Sequence, residues 1–175
     1  RYKLKAVVIG NGAAGLAAVK SFRKYDKTSP ITVISKEGGE AYSRVLLPYV
    51  LRGKLSYDKL FLPFAKEFGR LGVEYIEGEA EALDTAENTL SLADGTKLSY
   101  GSLLVASGSS ALWPPVKGIK QPGIYHLWTR SDLDSLIKEF RAERKVLIIG
   151  SGFVSHQAAW AARSLGLGVS LVEIA

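Results

Sequence analysis

The stretch "AVVIGNGAAGLAAV", residues 6–19, decides how the rest of the chain is read. Lys5–Ile9 is a short β-branched run without polar alternation, the pattern of a strand buried on both faces in a parallel sheet. "GNGAAG" follows, and then "LAAVKSFRKY", with apolar residues at helical spacing at Leu16, Val19 and Phe22. In a strand–turn–helix frame this glycine spacing is the dinucleotide-binding fingerprint. Gly10 permits the tight turn, Gly12 lets a pyrophosphate approach backbone, and Gly15 lets helix and strand pack closely. The helix N-terminus then offers amides and a positive dipole end to phosphates. The turn therefore nominates Gly10, Asn11, Gly12, Ala13, Ala14 and Gly15 as binding residues.

A second strand, "ITVIS", comes after Pro30. The acid that binds a ribose normally ends this strand. Ser35 occupies that place and Glu37 lies two residues on, so Glu37 is the candidate, with a solvated loop acid as the alternative.

A second turn, "KVLIIGSGFVSHQAAW", spans residues 145–160, with Gly150 and Gly152 at the right spacing and Ser155 in place of the third glycine. "QAAWAARSLG" continues as a helix with Val154, Ala158, Ala161 and Leu165 on one face. The following strand, "GVSLVE", closes on Glu173, 21 residues past Gly152, a position suited to a ribose acid.

Composition narrows the chemistry. The 175 residues are 47% hydrophobic with 18 glycines, which suits a soluble, core-forming α/β protein. No apolar run is long enough for a membrane span, and no signal peptide is legible, so the chain reads as cytoplasmic. With no cysteine, disulfides, Cys-ligated metals and thiol catalysis are excluded for these residues. The two histidines, His126 and His156, sit in unrelated contexts, and no metal site is expected. The net charge of +6 is spread along mixed helix faces, which argues against nucleic acid and is compatible with acidic partners or anionic cofactors.

Between the two turns, "EAEALD", "TLSLAD" and "TKLSY" are separated by "TAEN" and "ADG", the pattern of an antiparallel meander. It stands where an ordinary mononucleotide-binding half has another helix and parallel strand. "SLLVAS" then returns as a strand ending near Gly108.

Taken together, these segments resemble the two-dinucleotide-binding-domain flavoproteins, the FAD and NAD(P)H-dependent pyridine nucleotide oxidoreductases. The likeness is strongest to the branch holding nitrite reductase large subunit, rubredoxin reductase and coenzyme A disulfide reductase. "GNGAAG" matches the family's FAD fingerprint, and "SKEGGEAYSRVLLPYVLRGK" its flavin-flanking segment. The resemblance implies that Glu37 meets ribose, Arg44 pyrophosphate and the backbone at Ala80 adenine. "LLVASGS" matches a further family segment, which adds Ala106, Ser107 and Gly108, with serine replacing the usual threonine. "PGIYHLWTRSDLDSL" matches the connection into the second domain. The expected fold is a Rossmann-like FAD-binding parallel sheet with an antiparallel meander, plus the first βαβ of a second nucleotide-binding domain. Residues 1–112 form the flavin domain in this scheme, and 113–175 the linker and the start of the NAD(P)-binding domain.

By the same resemblance the first turn holds FAD and the second NAD(P)H. A carboxylate at Glu173 repels a 2′-phosphate, so NADH is favoured over NADPH. Two departures stand out. Val45 takes the place of the redox cysteine of disulfide-reductase members, so electrons must leave the flavin directly or pass to another protein. Ser155-His156-Gln157 replaces a glycine, an apolar residue and a glutamate. A serine Cβ at a close helix–strand approach costs about 1–3 kcal/mol if nothing moves, while its hydroxyl can cap the helix or serve a phosphate. The implied activity is hydride transfer from NAD(P)H to flavin and on to an acceptor or protein partner. The alternative is a non-catalytic FAD or electron-relay domain of a larger complex. The chain contains no Met and stops just past the second strand of the second domain, so a piece of a larger polypeptide is expected.

Overall fold

The computed structural model describes residues 5–63, 68–141 and 144–173. These residues divide into two compact units, one of residues 1–42 and 61–109, the other of 43–60 and 110–175.

In the first unit, β1 (Ala6–Ile9) leads through the glycine turn into α1 (Ala13–Tyr25), and β2 (Ile31–Ser35) follows. After them come β3 (Val73–Glu77), β4 (Ala80–Asp84), β5 (Thr89–Leu92), β6 (Lys97–Ser99) and β7 (Ser102–Val105). β3, β2, β1 and β7 form a four-stranded sheet in that order, with every pair parallel. β4, β5 and β6 form the antiparallel meander. The strand period of two explains how these layers stack. Ala6 and Val8 of β1 and Ile31 and Val33 of β2 pack with Leu16 and Val19 of α1. Val7 and Ile34 point the other way, onto Leu90 and Leu92 of the meander. With both faces covered, the central strands need the continuous apolar runs that the sequence supplies.

The sequence reading passed over β3, expecting the meander in its place. β3 pairs with β2 from Ile31↔Val73 to Ser35↔Glu77 and leads directly into β4. "VEYIE" mixes acidic and apolar residues: Val73 and Tyr75 pack on the α1 side, Ile76 on the meander side, and Glu74 and Glu77 are exposed on this edge strand. The predicted meander turns are present. Asp84 accepts the Ala86 and Glu87 amides at 3.0 Å, and Asp94 accepts the Thr96 amide at 2.9 Å.

In the second unit, a 3-10 turn (Arg44–Leu46) precedes the short α2 (Leu47–Leu51). Later come α3 (Arg130–Glu139), β8 (Lys145–Ile149), α4 (Phe153–Ser164) and β9 (Gly168–Val172). β8 and β9 pair in parallel from Lys145↔Gly168 to Ile149↔Val172, completing the expected βαβ. α2 lies against α3 and α4, and buried Leu47, Leu51, Leu133, Ala161 and Ala162 form much of the packing. The helical face expected of α4 is shifted: Ala161 and Ala162 are buried, Ala158 and Leu165 half-buried, and Val154 exposed. Among the described residues no helix is long and apolar enough to cross a membrane.

Candidate functional site

β1 has β2 on one side and β7 on the other, so the chain reverses direction across the sheet at β1. Such a switch point opens a crevice at the carboxyl ends of the strands, where ligands of open α/β sheets bind. The first glycine turn lies there. Gly10 has φ +115°, and a Cβ on it would stand 2.1 Å from the Ala106 carbonyl oxygen. A Cβ on Gly15 would stand 2.0 Å from the Gly10 carbonyl oxygen. Both glycines are therefore demanded by the protein itself.

Gly12 is different. It caps α1 with φ −86° and ψ −171°, extended backbone open to any residue, and nothing lies within 4 Å of its Cβ position. Neither backbone nor packing asks for glycine at this position. α1 has no side-chain cap, and its first turn holds no acid. By contrast α3 caps itself fully, with Thr129 accepting the Asp132 amide at 3.1 Å and Asp132 accepting the Thr129 amide at 2.7 Å. An uncapped N-terminus beside an unfilled glycine suits an anion that supplies the missing acceptors. Asn11 Oδ1 is also buried at this turn with no hydrogen-bond partner.

The other candidates in the first unit converge on the same edge. The Ala106 amide donates to the Ile9 carbonyl at 2.7 Å, bringing Ala106, Ser107 and Gly108 alongside the turn. Glu37 lies in the loop after β2, and Asn11 Nδ2 reaches the Gly39 carbonyl of that loop at 3.5 Å. Gly78 donates to the Ser35 carbonyl at 3.0 Å, so Ala80 opens β4 close to the end of β2. The sequence reading gave no weight to Tyr42 or Tyr75. The Tyr42 hydroxyl donates to the Glu37 carboxylate and the Tyr75 hydroxyl to the Glu37 carbonyl. The only sequence signal was a tyrosine five residues beyond a candidate acid.

The second turn keeps the first two glycines of the pattern and replaces the third with Ser155. Gly150 has φ +103°, and Gly152 caps α4 with φ −70°, ψ 178° and nothing within 4 Å of its Cβ position. The first helical bonds match: His156 to Gly152 at 3.1 Å and Leu16 to Gly12 at 3.0 Å. Ser155 is half-buried, and its Oγ lies 3.3 Å from the Cβ position of Gly150. The Glu173 carboxylate accepts the Ser151 amide, which joins Glu173 to Gly150 and Gly152 in one site. His156 is exposed and its Nδ1 lies 3.1 Å from the Gly152 carbonyl, while Gln157 Oε1 is buried with no partner.

Arg44 belongs to the second unit, where it donates to the Trp128 carbonyl and lies 5.5 Å from the centre of the Trp128 ring. Val45, beside it, is exposed.

Residues 4–175 match the family model described as pyridine nucleotide-disulphide oxidoreductase. The chain belongs to this family. It is 33% identical over 171 residues to the epsilon subunit of NADH-dependent phenylglyoxylate dehydrogenase from Aromatoleum evansii, covering 97% of this chain and 41% of that subunit. It is 30% identical to an NADH oxidase of Methanocaldococcus jannaschii, covering 98% of this chain and 40% of that one. A solved ferredoxin reductase from Rhodopseudomonas palustris superposes with a TM-score of 0.90 at 27% identity, over 98% of this chain and 43% of that one. The chain thus spans about two fifths of the length of these relatives.

Proposed function

We propose that this chain is the flavin-binding part, and the start of the NAD-binding part, of an FAD-dependent NADH oxidoreductase. One observation carries this most: two turns, each with a helix-capping glycine that its own protein does not require. At each turn an acid lies nearby, Glu37 in the loop beside the first and Glu173 at the second. In this reading Gly10–Gly15, Glu37, Arg44, Ala80 and Ala106–Gly108 hold FAD, and Gly150, Gly152 and Glu173 hold NADH. Residues 1–112 follow the flavin and 113–175 the nicotinamide nucleotide. Ser43–Leu60 is assigned to the flavin by its sequence, although it packs in the second compact unit.

FAD and NADH together supply hydride transfer between nicotinamide and flavin. The chain's own groups bind and orient. Amides at the two helix N-termini meet pyrophosphates, Glu37 and Glu173 accept from ribose hydroxyls, and the Arg44 fork pairs with phosphate oxygens. These residues hold no cysteine to relay electrons, and in this reading the flavin passes them to a separate acceptor, an electron-carrier protein being the expected class, in the cytoplasm.

Absorbance of the purified full-length protein tests this directly. The expected result is a bound flavin spectrum that NADH bleaches under anaerobic conditions. A flavin spectrum unresponsive to NADH would replace this function with a non-catalytic electron relay, which Ser155 and Gln157, in place of a glycine and a glutamate, favour. A colourless protein that takes up no FAD would overturn both.

A further inference from the structure

The loop that carries Glu37 is held at unusually many points. The Glu37 carbonyl accepts the Ser35 hydroxyl and the Tyr75 hydroxyl, each at 3.2 Å. A Cβ on the next residue, Gly38, would fall 2.3 Å from the Glu77 carboxylate, so the Glu77 side chain lies directly against this stretch. The Asn11 amide then joins Gly39 to the glycine turn. These contacts fix the main chain of Glu37. Tyr42, through its hydroxyl on Oε2, addresses the direction of the carboxylate. Tyr42 is itself fixed by a bridge to Phe61, and its neighbour Ala41 is buried and accepts the Leu62 amide at 2.8 Å.

We infer that Tyr42 is a positioning residue, which turns the Glu37 carboxylate toward the ribose hydroxyls of the dinucleotide at the first turn; this rests on the FAD reading above. A carboxylate oxygen has two lone pairs, so Oε2 can accept from Tyr42 and from ribose together. Holding the acceptor in place before the ligand arrives reduces the ordering cost of binding. Tyr42 therefore acts through Glu37, and its contribution falls on the ribose hydroxyls and nowhere else on the cofactor.

The full-length protein, stripped of flavin, is titrated by flavin fluorescence with FAD and with its 2′-deoxyadenosine analogue. Wild type is expected to prefer FAD by about tenfold, the scale of one well-placed hydrogen bond to a charged group. Tyr42→Phe, which removes one oxygen, should reduce that preference to about threefold or less, with an unchanged far-ultraviolet circular dichroism spectrum. Glu37→Ala should bring it close to one, and the Glu37→Ala/Tyr42→Phe double variant should match Glu37→Ala alone. Tyr75→Phe serves as the control: it should weaken both ligands alike and keep the ratio.

A wild-type ratio in Tyr42→Phe, with a reduced one in Glu37→Ala, overturns the role of Tyr42 and leaves the FAD site standing. A wild-type ratio in Glu37→Ala, or a further loss in the double variant, also overturns it. Failure of the wild-type protein to take up FAD overturns it together with the reading beneath it.

Discussion

Gly12 and Gly15 are three residues apart and answer to different constraints. Gly15 is buried against the Gly10 carbonyl, so even Gly15→Ala must push α1 away from β1. We expect a loss of about 1–3 kcal/mol, read from urea denaturation, together with weakened FAD retention. Gly12 faces open space at an unstrained φ, so Gly12→Val should stay within about 1 kcal/mol of wild type in stability. It should nevertheless fail to retain flavin, because the added side chain fills the volume a pyrophosphate needs. A Gly12→Val protein with full flavin occupancy would remove the first turn as the FAD site. Asp26 illustrates a residue that matters only for folding. Its carboxyl accepts from the Ser29 side chain and from the Ser29 and Thr28 amides, and these bonds hold its pKa at about 2. A depressed folded pKa means that its contribution is complete above the ordinary carboxylate range and is lost as pH falls toward 2. Asp26→Asn should therefore flatten the decline of the urea midpoint between about pH 4 and pH 2.

At the scale of the element, the two ends of α1 are finished differently. Its N-terminus is left open, while its C-terminus is closed by Arg23, whose side chain lies inside the unit. Arg23 Nε donates to the Leu71 carbonyl at 2.7 Å, Nη2 to Gly72 and Nη1 to Asp26, both at 3.2 Å. These bonds tie the end of α1 to the turn that launches β3. Arg23→Ala strips donors from three partly buried carbonyls and should cost about 1–3 kcal/mol in urea denaturation. Lys should restore less than half, because an ammonium does not reproduce the planar fork. For α4, the sequence puts a serine Cβ where helix and strand approach closely. The cap conformation and first helical bond of α4 match those of α1, so the N-terminal turn of α4 forms regularly with the serine in it. Ser155→Gly should leave NADH affinity within about threefold of wild type. A tenfold tightening in anaerobic titration of the flavin would mean that the serine does hold the helix amides away from the ligand.

For the molecule as a whole, the proposed function gives one dinucleotide to each turn, and the two turns lie in different compact units. Gly152→Val should leave the protein yellow but no longer bleached by NADH. Gly12→Val should lose flavin and still bind NAD⁺ in a calorimetric titration. If either variant lost both ligands while remaining folded, the assignment of one dinucleotide to each turn would be wrong.

The local grammar was legible in the sequence because each signal is carried by adjacent residues. "GNGAAG" after a β-branched run dictates a strand, a turn and a helix by backbone sterics alone, and "ADG" dictates a hairpin in the same way. The absence of cysteine excluded thiol chemistry for these 175 residues without reference to any contact. The edge strand β3 was not legible, because "VEYIE" becomes a strand only when β2 offers it a partner. The buried role of Arg23 was equally hidden, since a basic residue near a helix end reads as solvated until the Leu71 and Gly72 carbonyls fold over it. Gly12 and Gly15 looked alike in the motif, and only the packed structure separates a glycine required by the protein from one left open for a ligand. Tyr42 and Glu37 meet because the chain turns back between them, and a side-chain bond across such a loop has no periodicity to announce it. Tertiary structure decided these points because each depends on what lies opposite a residue in space, which its neighbours in sequence do not specify.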